Sequence, residues 1–318
     1  MKKTIIAIAV SSAAFASLPA QAAEGSSVDV YGNIQFAYSD KDAGTDLEDN
    51  GSTIGVKGET KVSDDLTAFF KYELEFKADQ TEGRDSNNTK GYNESKLDQA
   101  FVGLQGNFGI VQIGSFDTIY NNAIQDTVDQ FEYLGMTSAD GTSEGDTITY
   151  FSPSMNGFEV QVAAQVKGDT TSTDNIDDEE DGASLMGVLK YSTDLVSVAL
   201  GYDTRENTST DPKATTGLAV TVMPMDSLSV TAKYETTEDT QDIYGLAARY
   251  GYGAGDVYAS YQNINPDAAG SEDYNEYAAG VTYSLASNVY VFGEVGKFEN
   301  ASNSDTDTQT AVGVYYGF

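Results

Sequence analysis

The chain has no cysteine and no histidine. Without thiols there is neither a disulfide nor a thiolate nucleophile. Without imidazole the commonest general base and the commonest zinc ligand are both missing. A hydrolase built on a Ser-His pair is therefore excluded, while an acid protease using paired carboxylates remains possible in principle. No catalytic residue, cofactor or metal site is expected. Basic residues are also scarce: 17 Lys and Arg stand against 50 Asp and Glu, a net charge of −33. The only arginines are Arg84, Arg205 and Arg249, and no Lys or Arg occurs from residue 97 to residue 166, a span with nine carboxylates. Nucleic acid is a poor partner for such a chain, because its binding rests on neutralising phosphates. Cations are favoured and anions repelled.

A disordered acidic polymer is excluded by 21 tyrosines and 14 phenylalanines spread along the whole length. Also missing is any apolar run of the ~20 residues a helix needs to span a bilayer. The start of the chain comes nearest. Lys2 and Lys3 precede an apolar stretch over 5–18, and Ala20-Gln21-Ala22 is a small-x-small cleavage site. This reads as a secretory signal peptide over 1–22, cut after about Ala22, with a barrel domain over 23–318.

What the chain does have is alternation. The final segment, 308–318, puts Thr308, Thr310, Val312, Val314, Tyr316 and Phe318 on one face of a strand and Gln309, Ala311, Gly313, Tyr315 and Gly317 on the other. An uncovered strand of this kind invites aggregation in water. In a closed barrel its outer face meets hydrocarbon and both its edges are paired. The same period of two recurs at 28–38, 52–60, 66–77, 96–104, 109–115, 147–151, 158–166, 183–191, 196–203, 215–223, 227–235, 242–250, 256–263, 274–284 and 289–298. With the last segment this makes sixteen strands. Sixteen is an even number and falls in the range that encloses water. The fold class is all-β: a sixteen-stranded antiparallel transmembrane barrel. Short turns alternate with acidic connections at 40–50, 169–181, 236–242 and 299–307, which are expected outside the cell.

One connection, 116–146, is long and less polar. Helical periodicity over 123–133 places Ile124, Thr127, Val128 and Phe131 on one face and Asp126, Asp129, Gln130 and Tyr133 on the other. This pattern suits a third loop folded into the pore, with its apolar face on the wall. Asp117, Asp126, Asp129, Glu132 and Tyr133 are the candidate constriction residues. By alternation Lys57 and Lys71 point inward as wall cations, although Glu59 or Glu73 could pair with them. The acidic run 174–182 lacks calcium-loop spacing, and Gly251-Tyr252-Gly253-Ala254-Gly255 is a turn rather than a nucleotide fingerprint, since no helix pattern follows it.

Several local motifs resemble the general, non-specific porins of Gram-negative outer membranes. They are Val30-Tyr31-Gly32, Ile54-Gly55-Val56-Lys57-Gly58-Glu59, Gly103-Leu104-Gln105-Gly106-Asn107-Phe108-Gly109, Gly114-Ser115-Phe116-Asp117, Tyr150-Phe151-Ser152-Pro153 and Tyr316-Gly317-Phe318. The resemblance covers the whole chain after the leader. It implies a homotrimer in outer-membrane lipid and lipopolysaccharide, with a third loop narrowing each pore and a second loop, 78–92, reaching a neighbour. It also implies that Tyr316 and Phe318 are read by the barrel-assembly machinery. The implied function is passive diffusion of small hydrophilic solutes and ions, here with a preference for cations. The pattern departs at Thr53 and Thr149, wall positions where such porins often carry arginine. Two alternatives are a substrate-specific oligosaccharide channel and a structural or adhesive barrel.

Overall fold

A computed structural model describes residues 25–79, 83–84, 90–91, 95–139, 145–166, 183–205, 213–300 and 303–318. The expected leader over 1–22, the acidic connection 169–181 and most of the second loop lie outside the described residues. The rest is a barrel of β1 (Ser26–Lys41), β2 (Ser52–Ser63), β3 (Leu66–Phe76), β4 (Lys96–Gly106), β5 (Gly109–Ser115), β6 (Thr147–Phe151), β7 (Phe158–Val166) and β8 (Ala183–Ser192). It continues with β9 (Val196–Asp203), β10 (Thr215–Met225), β11 (Leu228–Thr237), β12 (Gln241–Gly251), β13 (Asp256–Pro266), β14 (Tyr274–Ala286), β15 (Val289–Asn300) and β16 (Asn303–Gly317). Each strand pairs antiparallel with its sequence neighbours. β1 also pairs with β16, from Asn33↔Gly317 to Asp40↔Thr310, and this closes the sheet.

Closure is completed by the last residue. The Gly32 N–H donates to the Phe318 carbonyl at 3.0 Å, and the Phe318 N–H donates back to Gly32 at 2.9 Å. Among the described residues the sixteen barrel strands are thus each paired on both sides, which is the condition for a sheet in lipid.

Alternation decides which side chains face out. On β1, Val30, Ile34 and Tyr38 are exposed on the outer face, while Tyr31, Asn33 and Gln35 line the lumen. On β3, Phe70 and Tyr72 face out, and their neighbours Lys71 and Glu73 pair with each other inside. Outer tyrosines meet across strands, Tyr234 with Tyr244 and Tyr261 with Tyr277, each with ring centroids 5.0 Å apart. Amphipathic rings of this kind suit the membrane interfaces.

Turn chemistry sets the short end. Asn156 (φ 53°) and Gly157 (φ 90°) both take positive φ between Met155 and Phe158, whose backbones exchange hydrogen bonds at 2.8 and 3.1 Å. Asn-Gly is the pair that tolerates this two-residue hairpin best.

The connections at the other end are less loop-like than expected. The 40–50 segment is a hairpin: β1 runs on to Lys41, and a further strand, Gly44–Asp49, folds back against it. The 236–242 and 299–307 segments are mostly strand, with β11 to Thr237 and β15 to Asn300. Polar composition had suggested loops there. Antiparallel pairing satisfies the same backbone groups that loop solvation would.

Candidate functional site

The long connection between β5 and β6 folds into the barrel. Its helix is shorter and earlier than the sequence suggests. α1 is Ile119–Ala123, and a 3-10 turn follows at Gln125–Thr127. Thr118 caps α1, its hydroxyl accepting from the Asn121 N–H at 3.1 Å. Helix over 123–133 is therefore corrected. Val128 and Asp129 still donate back to the Gln125 carbonyl, at 3.2 and 3.3 Å, but the N–H groups of Glu132, Tyr133, Leu134 and Thr137 go to the barrel wall instead of to a helical ladder.

The apolar face lies on the wall, as expected. Ile119, Tyr120, Ala123 and Ile124 pack on Ala163, Met186, Val188, Ala199 and Ala219 of β7 to β10. The wall is shaped for them by small residues: a methyl on Gly201 would stand 2.9 Å from both Ile124 and Tyr120. Ile124 is wholly buried, a change worth about 1.5–3 kcal/mol relative to exposure.

Wall side chains hold the rest of the loop by its backbone. Glu294 of β15, 5% exposed, accepts from the N–H groups of Glu132 (2.6 Å), Tyr133 (3.1 Å) and Leu134 (2.9 Å). It also accepts from the Tyr258 hydroxyl at 2.7 Å. Glu276 of β14 accepts from the Thr137 N–H at 2.9 Å and from its hydroxyl at 2.5 Å. Ser260 donates to the Val128 carbonyl at 2.6 Å, and Arg249 to that of Gln130 at 3.3 Å. The bonds made by Glu294, Glu276 and Arg249 are charge-assisted, about twice as strong as neutral ones, so the loop is fixed across the lumen.

Of the expected constriction residues, the structure brings Asp117, Asp126, Asp129 and Glu132 onto this loop inside the barrel. Asp126 is exposed to lumen water and Asp129 is half-buried. With Asn121, Gln125, Thr137 and Lys233 they line a polar cavity of about 150 Å³. Enclosure by protein raises the Asp129 carboxyl to about 6, and the Asp126 charge adds to the rise. Enclosure, then the Asp117 charge, raises Asp126 as well. Glu132 is raised by burial, against the Tyr290 hydroxyl that donates to it at 2.6 Å.

Across the lumen, Lys71 forms an ion pair with Glu73 at 2.8 Å and donates to Gln99 at 3.0 Å. Gln99 donates in turn to Asp117 at 3.2 Å. The Lys57 ammonium lies over the Tyr31 ring, 5.0 Å from its centroid. Thr53 is largely buried and accepts from Asn33 at 2.8 Å.

Thr149 does not oppose the loop. It is 1% exposed on β6 beside its cross-strand partner Ala163, which packs on the loop itself. Tyr133 is turned from the acids; its hydroxyl donates to Glu48 of the Gly44–Asp49 strand. Tyr316 faces outward, and Phe318 lies at the closing seam against Gly32.

Five residues that meet the inserted loop escaped the sequence reading: Lys233, Glu235, Arg249, Glu276 and Glu294. Lys233 and Glu235 form an ion pair at 3.0 Å, and Gln125 donates to Glu235 at 3.1 Å. Arg249 pairs with Asp256 at 3.2 Å. Alternation along β11 would have found the first two, since Val230, Ala232 and Tyr234 take the opposite face.

A family model described as Gram-negative porin matches residues 7–303. The chain is 36% identical to a monosaccharide porin of a Halomonas species, with all of both chains covered. Among solved structures it is similar to Salmonella typhi OmpF in complex with daunomycin (TM-score 0.73, 21% identity, 93% of this chain and 98% of that one). It is also similar to an anion-selective porin from Comamonas acidovorans (TM-score 0.70, 19% identity, 92% and 100%).

Proposed function

Because the chain belongs to the Gram-negative porin family, a group of outer-membrane barrels, we propose that it forms a cation-preferring, water-filled channel for passive diffusion of ions and small hydrophilic solutes. One observation carries the preference. The lumenal cations nearest the loop are compensated within the wall, Lys71 by Glu73, Lys233 by Glu235 and Arg249 by Asp256. Among the described residues no ion pair engages Asp117, Asp126, Asp129 or Glu132. These four loop carboxylates, with Glu276 and Glu294 of the wall beside them, give the narrow section a net negative field, and low-dielectric walls focus it. A planar-bilayer reversal potential in a salt gradient tests this; an anion-selective pore at low salt would refute it.

The chain is further expected to lose its leader after about Ala22, to be assembled by the barrel-assembly machinery through Phe318 and Tyr316, and to sit beside lipopolysaccharide as a homotrimer. An apolar groove on the outer face of β3 to β5, lined by Phe70, Val102, Leu104, Val111 and Ile113, supports a protein-covered flank.

A second reading is a channel with preference for monosaccharides. It is favoured by the name of the Halomonas relative and by the cavity lined with amides, carboxylates and Lys233. Saturable reduction of ion current by added monosaccharide would support it; linear, unsaturated permeation would not. A barrel that conducts nothing would point instead to a structural or adhesive role.

A further inference from the structure

Tyr31 on β1 and Gly55 on β2 are cross-strand partners on the lumen face. A methyl on Gly55 would stand 2.6 Å from Cζ and 2.7 Å from Oη of Tyr31. The ring therefore lies across the glycine, in space that any other residue would fill with its own Cβ. Three more lumenal pairs share the arrangement: Phe69 over Gly103, Tyr258 over Gly280 and Phe292 over Gly313. Rings laid on a neighbouring strand thicken the wall slightly and leave the lumen open.

The Tyr31 pair differs from the others in its surroundings. Tyr258 and Phe292 are buried; Phe69 and Tyr31 are both half-buried, and charged neighbours are what set Tyr31 apart. Its ring carries the Lys57 ammonium 5.0 Å and the Lys71 ammonium 5.7 Å from the centroid. Lys71 leads through Gln99 to Asp117, at the start of the inserted loop. The flat ring is thus the platform of the wall that faces the constriction.

We propose that the Tyr31–Gly55 pair sets the free aperture of the channel, and with it the size limit for uncharged solutes. Gly55 is the positioning residue: it touches no solute but keeps the ring against the wall. Adding one methyl forces the ring to retreat by about 1 Å to regain ordinary carbon contact. Backbone lies beneath, so the ring moves lumenward and lifts both lysines with it. The proposal rests on the porin reading.

The test uses Gly55→Ala, Tyr31→Ala and the double variant, refolded and checked for heat-modifiable mobility. Single-channel conductance is read at 1 M salt, where a screening length of ~3 Å suppresses charge effects. Liposome swelling is read with uncharged sugars of increasing size. Gly55→Ala should lower conductance and steepen the size dependence. Tyr31→Ala should raise conductance and flatten it. The double variant should recover at least the parental values, because there is no ring left to displace. A folded Gly55→Ala channel equal to the parent, or a double variant that keeps the loss of Gly55→Ala, overturns the proposal. If Gly55→Ala does not fold, Tyr31→Ala decides: unchanged conductance and size dependence refute the aperture role. A parent that conducts nothing refutes the porin reading instead.

Discussion

The Lys233 ammonium lies 3.0 Å from the Glu235 carboxylate, and the two side chains are 1% and 0% exposed. Two charges of opposite sign, one inward position apart on β11, are thus sealed behind the inserted loop. The Gln125 amide donates to the same carboxylate, so loop and wall share one buried polar network. Lys233, which lines the cavity beside Asp126 and Asp129, is in this way compensated from behind.

Removing one partner should be costly. Lys233→Met or Glu235→Gln leaves the other charge or its partners buried and unmatched, at about 3–5 kcal/mol for such a pair. The double variant Lys233→Met/Glu235→Met should cost less than the sum. Thermal unfolding in detergent checks this, and strictly additive losses would show that the two groups do not act as a pair.

Cation preference should fall with pH. The Asp129 carboxyl is raised to about 6 by enclosure, so it is ionised above that value and neutral below it. Selectivity for cations is therefore largest above pH 7 and declines as pH drops through about 6. In Asp129→Asn the decline should shrink and shift to lower pH. Reversal potentials between pH 8 and 5 measure it; a flat profile in the parent would contradict the role given to Asp129.

Glu294 should steady the loop. It receives three consecutive loop N–H groups, and hydrogen bonds to a charged group contribute about 1.5–3 kcal/mol each. Glu294→Gln keeps the shape but loses the charge and one acceptor. Its channels should show noisier open-state current and closure at lower voltage, with the barrel intact. Quiet, parental traces would mean that apolar packing of Ile124 and Tyr120 holds the loop unaided.

The barrel was legible because its signal is local. A period of two needs only the strand's own residues, so Lys71 and Glu73 could be set inside from β3 alone. The end strand differed only in starting at Asn303, where acidic composition looked like loop. The site was legible in part. The exposed position of Asp126 and the burial of Ile124 and Val128 followed from the loop's own pattern. Glu294 meets the loop from some 160 residues away, and alternation says that it faces in without saying what it meets. The helix was misplaced for the same reason: distant wall groups take the backbone donors from Glu132 onward. Thr149 failed because strand parity gives the face of the sheet but not which part of the lumen the loop covers.

Phe318 should matter for assembly more than for conduction. Its backbone makes both closing hydrogen bonds with Gly32, and its ring lies on that glycine. Deleting Phe318 should lower the yield of folded, heat-modifiable protein in the outer membrane. Channels that do form should conduct as the parent does. Parental yield would remove the assembly role.

The most direct measurement is the zero-current potential across a planar bilayer, in a gradient about a mean of 0.1 M salt, where the screening length is ~10 Å. The parent is compared with Asp126→Asn/Asp129→Asn and with a variant neutralised at Asp177, Asp178, Glu179, Glu180 and Asp181. If the loop carboxylates set the selectivity, the parent prefers cations, the double Asn variant loses most of that preference, and the outer variant keeps it. A parent that prefers anions, or an outer variant that loses more than the double Asn variant, would contradict the constriction as the source of selectivity.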